Sequence, residues 1–442
     1  MKRIWAFFLD ILYLPVLFLV LPFLYLKQEK YRRSLPPRFV TPPPRHTDKP
    51  CLWIHGVSVG EVKATKTFLE AFQQQHPEWE VVLSTTTNTG FEEAQRLFPQ
   101  LLVFRFPLDL SFLLERAFSR LKPQLIVLME LELWPNFLLM AAIHQVPVGV
   151  LNGRLSEKSF RNYRRFRWFS SWMLHLVQFY LVQNQEYADR FAFLGITRKN
   201  IEVTGNMKMD QKIPSASPDL RERLQFSLND LILVCGSTHP GENEILIEHY
   251  QTLKSEFPSL KLILVPRHPE KVNEVAEHLR KKEISFFRWK KEQLEETWLK
   301  TSEPVLLVDQ MGVLTQIYQI ADLVFVGKTL MAHGGQNMVE PVLLGKRVVV
   351  GPYTENFKEE MRFLKEHKLV EEVQTPEELF TTFQQLLKDP LRNQKGVRAS
   401  EVWKTQMGAS QRNLQFIETQ GYLKKAGHSC PQQKDTSVLE SL

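Results

Sequence analysis

"CLWIHGVSVGEVKATKTFLEAFQQQ", residues 51–75, decides how the rest of the chain is read. CLWI is a strand-like run, and VKATKTFLEAFQQQ has the look of a helix. Between them HGVSVGE (residues 55–61) forms a small glycine-containing turn that ends on an acid, Glu61. A strand passing into a helix is half of a βαβ unit. Open α/β sheets keep their chemistry outside the carboxyl ends of their strands. Glu61 therefore has two readings, a helix-capping acid or a catalytic base.

Working outward, the same alternation recurs. EVVLSTTT, LLVFRFPLD, QLIVLME, PVGVLNGRLS, FYLVQN and IEVTGN are β-rich runs separated by helical patterns, which predicts a parallel sheet. The pattern pauses at Asp210–Leu220, a polar stretch with proline and serine that predicts a domain boundary. A second series follows, with LILVCGST, KLILVPRHP, SFFRW, VLLVDQ, LVFVGKT and RVVVGP. The fold class is thus α/β, with one domain over residues 50–210, a linker over 211–225 and a second domain over 226–424. Two such halves in succession predict a cleft between them. The closing EVWKTQMGASQRNLQFIETQGYL reads as one or two helices, and the polar tail 425–442 as disordered.

Length and composition agree. The 442 residues, 43% hydrophobic and 24% charged, exceed what one ordinary core holds. Three widely separated cysteines exclude a disulfide scaffold and match no metal spacing, which points to a reducing compartment. A formal charge of +7 suits an acidic partner.

The first 30 residues narrow that partner. Ile4–Leu26 is an apolar run long enough to span a bilayer, interrupted only by Asp10 and two prolines. It is too long for a signal-peptide core and no small-residue cleavage site follows. Lys27, Lys30, Arg32 and Arg33 behind it, against Lys2 and Arg3 in front, put the body of the protein in the cytoplasm. Asp10 and the prolines keep a shallow monotopic insertion open beside a single pass. Residues 31–49, rich in proline, read as a stiff linker.

Candidate site residues fall at the predicted strand ends. In the second half, HGGQNMVEP (residues 333–341) offers two glycines for close backbone approach, and Pro341 fits the first turn of a following helix. That helix start is a natural phosphate site, with Glu340 placed for sugar hydroxyls or for simple helix capping. Arg267 in VPRHP presents a planar fork of donors, and Gly236–Ser237 and Met311–Gly312 mark two further loops. Four such loops predict a nucleotide-binding half. In the first half the strand ends carry HGVSVGE, STTTNTG, MELELWPN with Glu130 and Glu132, NGRLS, and TGNMKMD with Lys208. Each has a capping or solvation reading of its own; together they are harder to dismiss. RNYRRFRWF (residues 161–169) mixes cations with aromatics, as helices on anionic bilayers do and as nucleic-acid binders do; the apolar N-terminus favours the membrane.

These strings, from HGVSVGE through STTTNTGFE, MELELWPN, NGRLSEKSFRNYRRF, VTGNMKMD, CGSTHPGE, VPRHPEK and MAHGGQNMVEP to GPYTENF, resemble one family in its order. It is the Kdo transferases, which attach 3-deoxy-D-manno-octulosonic acid (Kdo) to the lipid A precursor of lipopolysaccharide. The likeness covers about residues 50–360. It implies a GT-B fold of two Rossmann-like domains, the C-terminal helix crossing back to the first. It implies CMP-Kdo as donor, lipid A precursor as acceptor, and a metal-independent, inverting transfer with no cofactor at the cytoplasmic side of the inner membrane. By the same resemblance Glu61 matches the general base, and Glu130 and Lys208 match groups that stabilise the transition state. CMP would be held by Pro266, Arg267, Met311, Gly312, Val313, Asn337, Met338, Val339 and Glu340. The sequence departs from the usual pattern at Lys328–Thr329, Gln336, Val313 and Leu131; the first three of these departures fall on the donor side. Other readings are a different GT-B enzyme, such as a nucleotide-sugar epimerase, or a non-catalytic membrane-associated binding protein; nucleic-acid binding is more distant. The number and linkage of Kdo residues added are not legible.

Overall fold

The computed structural model describes residues 2–27, 35–45, 47–211, 220–290, 303–331 and 334–423. Most of the predicted interdomain linker, His333 of the glycine turn and the C-terminal tail lie outside the described residues. The chain groups into two compact units, Met1–Asp210 together with the segment from Gln406, and Gln211–Thr405.

The first unit is built on seven strands: β1 (Cys51–His55), β2 (Glu80–Thr85), β3 (Leu102–Arg105), β4 (Leu125–Met129), β5 (Val148–Gly153), β6 (Phe179–Val182) and β7 (Ile201–Val203). They run in the order β3-β2-β1-β4-β5-β6-β7, and every pairing is parallel. The order reverses between β1 and β4, which makes their carboxyl ends the topological switch point. β1 and β4 are buried along their whole length, as a sheet covered on both faces requires. On one face Trp53 packs among Phe104, Phe118 and Phe137, its indole N–H donating to Ser84 Oγ at 2.8 Å. On the other, Phe68 and Phe72 of the helix Val59–Gln75 join Leu414 and Ile417 of the last described helix, Ala409–Thr419. The Asp210 carboxylate caps that helix, accepting from the amides of Gly408, Ala409 and Ser410 at 2.6, 3.2 and 2.6 Å.

The N-terminal helix Lys2–Lys27 does not stand alone. Ala6 and Asp10 are buried, one turn apart on the same face, with Leu9 beside them. Asp10 accepts from the Ser111 amide at 3.0 Å and from Asn136 Nδ2 at 2.9 Å. Ser111 opens the helix Ser111–Leu121, which has no side-chain cap of its own, so Asp10 supplies one from far along the chain. Asp109 does the same for the helix Pro135–Ile143, accepting from the amides of Asn136 and Phe137 at 3.0 and 2.8 Å. Burial above all, with the nearby Asp10 charge, lifts the Asp109 carboxyl to about 7, although those two amides and Arg38 pull the other way. The acid that looked like a flaw in an apolar run is thus a lock. Replacing Asp10→Ala removes the acceptor of the half-buried Ser111 amide and one of the two acceptors of Asn136 Nδ2, at about 1–3 kcal/mol. Chemical denaturation of the full chain should show that loss, with Asp10→Asn closer to wild type; equal stability of the Ala variant would contradict the lock.

Among the described residues no helix is long and apolar enough to cross a membrane. The proline-rich stretch also differs from a plain linker. Pro36–Phe39 forms one 3-10 turn, which prolines near a helix start tolerate. Leu35 packs with Leu108, Leu110 and Leu113, and Arg38 Nε donates to the Phe106 carbonyl at 3.0 Å.

The second unit repeats the plan with β8 (Leu231–Thr238), β9 (Leu260–Pro266), β10 (Phe286–Lys290), β11 (Val305–Asp309), β12 (Leu323–Val326), β13 (Arg347–Val350) and β14 (Glu371–Glu372). The order is β10-β11-β9-β8-β12-β13-β14, again parallel. β8 and β12 flank its switch point. Backbones there touch: a Cβ on Gly327 would lie 2.5 Å from the Ser237 carbonyl oxygen, and one on Gly351 2.2 Å from that of Thr329. Only glycine permits this contact.

Candidate active site

In the first unit, three carboxylates at the carboxyl ends of the switch-point strands β1 and β4 meet one lysine carried by the turn after the edge strand β7. Glu61 sits in the first turn of the helix Val59–Gln75, whose N-cap is Ser58. Its oxygens are both engaged, one accepting from the Val57 amide at 2.9 Å and the other from Ser58 Oγ at 2.8 Å. The side chain is therefore a capping acid in geometry. It is also 7% exposed and has ionised neighbours, which a simple cap does not need. Burial raises its pKa most; the Val57 amide and Ser58 hydroxyl oppose that, Glu130 adds to it and Lys208 resists it, leaving the pKa raised.

Glu130 follows β4 with φ +57°, a left-handed conformation that costs a non-glycine residue about 1–3 kcal/mol. Its amide donates to the Leu151 carbonyl at 2.9 Å, which holds the turn. Its Oε1 accepts from Lys208 Nζ at 2.9 Å, with each side chain about one-fifth exposed. Lys208 rides on the 3-10 turn Met207–Met209, fixed by buried Met207 and Met209 on either side. Asn206 caps that turn, and Asn152 Oδ1 accepts from the Met207 amide at 2.9 Å. Glu132 completes the group. Burial first, then the charges of Glu61 and Glu130, push its carboxyl up to about 7. The burial and mutual charges that raise the Glu61 and Glu132 carboxyls favour their protonated forms over those of an ordinary glutamate. The arrangement can take a proton from a hydroxyl and keep a cation beside it.

The threonine loop serves this site indirectly. Thr87 caps the helix Asn88–Leu97 and its hydroxyl donates to the Val57 carbonyl at 2.9 Å, tying β2 to the Glu61 turn.

In the second unit the expected donor residues lie at strand ends. Pro266 closes β9 and Arg267 follows it, exposed, its amide donating to Thr238 O at 3.0 Å. Met311 is exposed, Gly312 has φ +87° with open space around it, and Val313 caps the helix Leu314–Ile320. Gly334 and Gly335 have φ +110° and +73°. Asn337 Oδ1 accepts from the Val339 amide at 3.0 Å, and Glu340 is hydrogen-bonded by Thr315 Oγ1.

The phosphate reading of this turn needs correcting in one respect. The helix Val339–Leu343 has five residues, so little dipole accumulates. The Val339 amide is taken by Asn337, that of Gly334 by Glu355, and that of Gly335 by the Lys328 carbonyl. These three amides are therefore not available to an anion.

Sequence reasoning passed over Glu242, quoted only as the end of CGSTHPGE. It is fully buried, and its two oxygens accept from the amides of His239 (2.9 Å), Lys328 (2.8 Å), Thr329 (3.0 Å) and Leu330 (3.0 Å). One carboxylate thereby clamps the loops after β8 and β12. Its signal was a first-turn glutamate after a glycine, which reads as ordinary capping.

A family profile described as 3-deoxy-D-manno-octulosonic-acid transferase (kdotransferase) matches residues 33–211. The chain is 32% identical over 432 residues to the 3-deoxy-D-manno-octulosonic acid transferase of Haemophilus influenzae, covering 94% of this chain and 98% of that one. It is 34% identical over 334 residues to the enzyme of the same name from Chlamydophila psittaci, covering 74% and 75%. Among solved structures it is similar to the C-terminal CMP-Kdo binding domain of WaaA from Acinetobacter baumannii, with 26% identity and a TM-score of 0.38 over 42% of this chain and 94% of that one. MurG of the same organism gives 16% identity and a TM-score of 0.49, over 84% and 99%. The relatives make the chain a glycosyltransferase. It belongs to the 3-deoxy-D-manno-octulosonic acid transferase family.

Proposed function

We propose that the chain is an inverting GT-B enzyme that moves Kdo from CMP-Kdo to the lipid A precursor of lipopolysaccharide. The observation that carries this reading is the buried Glu61 beside the Glu130–Lys208 pair, in a chain of this family. Glu61 takes the proton of the acceptor hydroxyl as that oxygen attacks the donor's anomeric carbon. The bond to the CMP phosphate breaks, and Lys208, with Glu130 holding it in place, stabilises the transition-state charge. Pro266, Arg267, the loop Met311–Val313 and Asn337–Glu340 hold CMP. The transfer is metal-independent, because the chain's own cations serve the leaving phosphate.

The same reading attaches the protein to the cytoplasmic face of the inner membrane. The helix Lys2–Lys27 leaves Ile4, Trp5, Phe7, Phe8 and Leu12 more than half exposed, while its Asp10 face is buried on the folded unit. That division supports a monotopic helix lying in the interface. The exposed Arg161, Arg164, Arg165 and Arg167, with Trp168 80% exposed, suit anionic headgroups.

The test is incubation of the full chain with CMP-Kdo and lipid A precursor in liposomes, followed by mass spectrometry. Acceptor gaining whole Kdo units, equally with and without chelator, is the expected result, and the mass counts the units. No gain with this pair would overturn the substrate assignment; loss under chelation would overturn metal independence.

A further inference from the structure

The proline-rich stretch delivers a cation to the first unit. Arg38 sits in the 3-10 turn Pro36–Phe39, and its carbonyl accepts from the Leu108 amide at 3.0 Å. Its Nε donates to the carbonyl of Phe106, also at 3.0 Å, just past the end of β3. The guanidinium carbon Cζ lies 5.9 Å from the centre of the Trp134 ring. Trp134 is the N-cap of the helix Pro135–Ile143 and stands two residues beyond Glu132. Two residues of chain put their Cα atoms at most about 7 Å apart. The loop after β4 thus carries the acids Glu130 and Glu132 at one end and the ring under Arg38 at the other.

The far end of this side chain is unspent. Among the described residues neither terminal nitrogen of Arg38 has a hydrogen-bond partner, and neither is closed off from solvent. Asp109 is the acid whose charge reaches the guanidinium, but its oxygens already accept from the amides of Asn136 and Phe137. Burial pushes the Arg38 pKa down to about 10 against the pull of Asp109, so the group remains a cation at neutral pH. The indole N–H of Trp134 is a further donor without a partner among the described residues. A guanidinium fixed at Nε, with both terminal nitrogens free, suits an oxyanion.

We propose that Arg38, braced on Trp134, binds a phosphate of the acceptor lipid. This rests on the acceptor assigned above. The lipid A precursor is a phosphorylated disaccharide by its chemistry, so the molecule whose hydroxyl meets Glu61 also carries phosphate monoesters. A planar fork takes such a group through paired N–H···O bonds. A base and an anion anchor on one rim then fix the sugar between them and decide which hydroxyl is presented. The turn that packs Leu35 against Leu108, Leu110 and Leu113 thereby belongs to acceptor recognition. A bilayer headgroup offers the same phosphate chemistry, and the test separates the two sources.

Arg38→Gln, assayed with the full chain in neutral detergent micelles, should raise the KM for lipid A precursor about ten- to a hundredfold. The KM for CMP-Kdo should move less than about twofold. The decisive readout is a ratio, kcat/KM for the intact acceptor over that for acceptors lacking one phosphate or the other. In wild type, loss of the phosphate that Arg38 holds should cost a similar ten- to a hundredfold; in Arg38→Gln it should cost less than about twofold. Arg38→Lys can still donate to the Phe106 carbonyl but lacks the fork, and should show the same coupling in smaller measure should the Gln variant fold poorly. A variant that penalises every acceptor equally would mark Arg38 as structural and overturn the proposal, as would an unchanged acceptor KM. An effect confined to vesicles of anionic phospholipid, absent from neutral micelles, would assign Arg38 to headgroups and also overturn it. Binding of lipid A precursor to CMP-saturated protein reads the subsite without turnover. Weaker binding by Arg38→Gln, for the phosphorylated lipid alone, supports it; equal binding by both proteins, or none by wild type, overturns it. If transfer from CMP-Kdo fails in wild type while this binding difference persists, the functional reading falls and the subsite stands.

Discussion

Glu61→Gln should lower kcat about a hundred- to ten-thousandfold while leaving the affinity for CMP unchanged. The amide keeps the shape of the carboxylate, and its oxygen can still accept from Val57 or Ser58, so the helix start and the fold persist. What disappears is the ability to accept a proton. The pH profile tests the same assignment with its own sign. Burial and the Glu130 charge raise the Glu61 pKa, so the base form is populated only above the ordinary glutamate range. kcat/KM should accordingly fall as pH drops through a raised carboxyl value, with Glu132, at about 7, broadening the limb as it takes up its proton. A Glu61→Gln enzyme of near-normal rate, or an acid limb at the unperturbed glutamate value, would remove Glu61 from the chemistry.

The strand–turn–helix repeats were legible because period and length alone separate buried strands from the helices between them. β1 was expected from CLWI and runs Cys51–His55; SFFRW holds the start of β10, Phe286–Lys290. The acids and lysine at the strand ends were legible for the same reason, since topology fixes which end of a parallel sheet collects side chains. Partnerships across the chain were not. Asp10 finds its purpose in Ser111 and Asn136, about a hundred residues on, and no local pattern announces that. Glu242 looks like any first-turn glutamate until β8 and β12 are known to be neighbours. The glycine turn misled in the opposite sense: two glycines before a proline suggested a helix start with free amides, whereas the helix is one short turn and the amides of Gly334, Gly335 and Val339 are already taken. Local sequence specifies elements; the use of a polar group depends on which elements the sheet order places beside it.

Lys208→Met should cost about a hundred- to a thousandfold in kcat, the loss typical of one aligned group that stabilises transition-state charge. Methionine keeps the apolar stem between Met207 and Met209, so the 3-10 turn capped by Asn206 should survive. The diagnostic readout is the movement of the acid limb, because Lys208 and Glu130 act on Glu61 with opposite sign. Without the lysine, three carboxylates face one another with no cation. The Glu61 pKa rises further, and the limb of kcat/KM moves to higher pH. Glu130→Gln removes a like charge and should move the limb to lower pH, even as it frees Lys208 from its 2.9 Å partner and lowers kcat by misplacing it. The double variant then tests whether the pair works as a unit: its loss should be well short of the product of the single losses, as for residues that share one task. Multiplicative losses with an unmoved limb would mean that the ion pair only braces the β4 turn. In that case the transition-state charge would have to be met elsewhere. Opposite shifts with a sub-multiplicative double variant would instead fix Lys208 and Glu130 as one electrostatic unit that both tunes the base and steadies the transition-state charge.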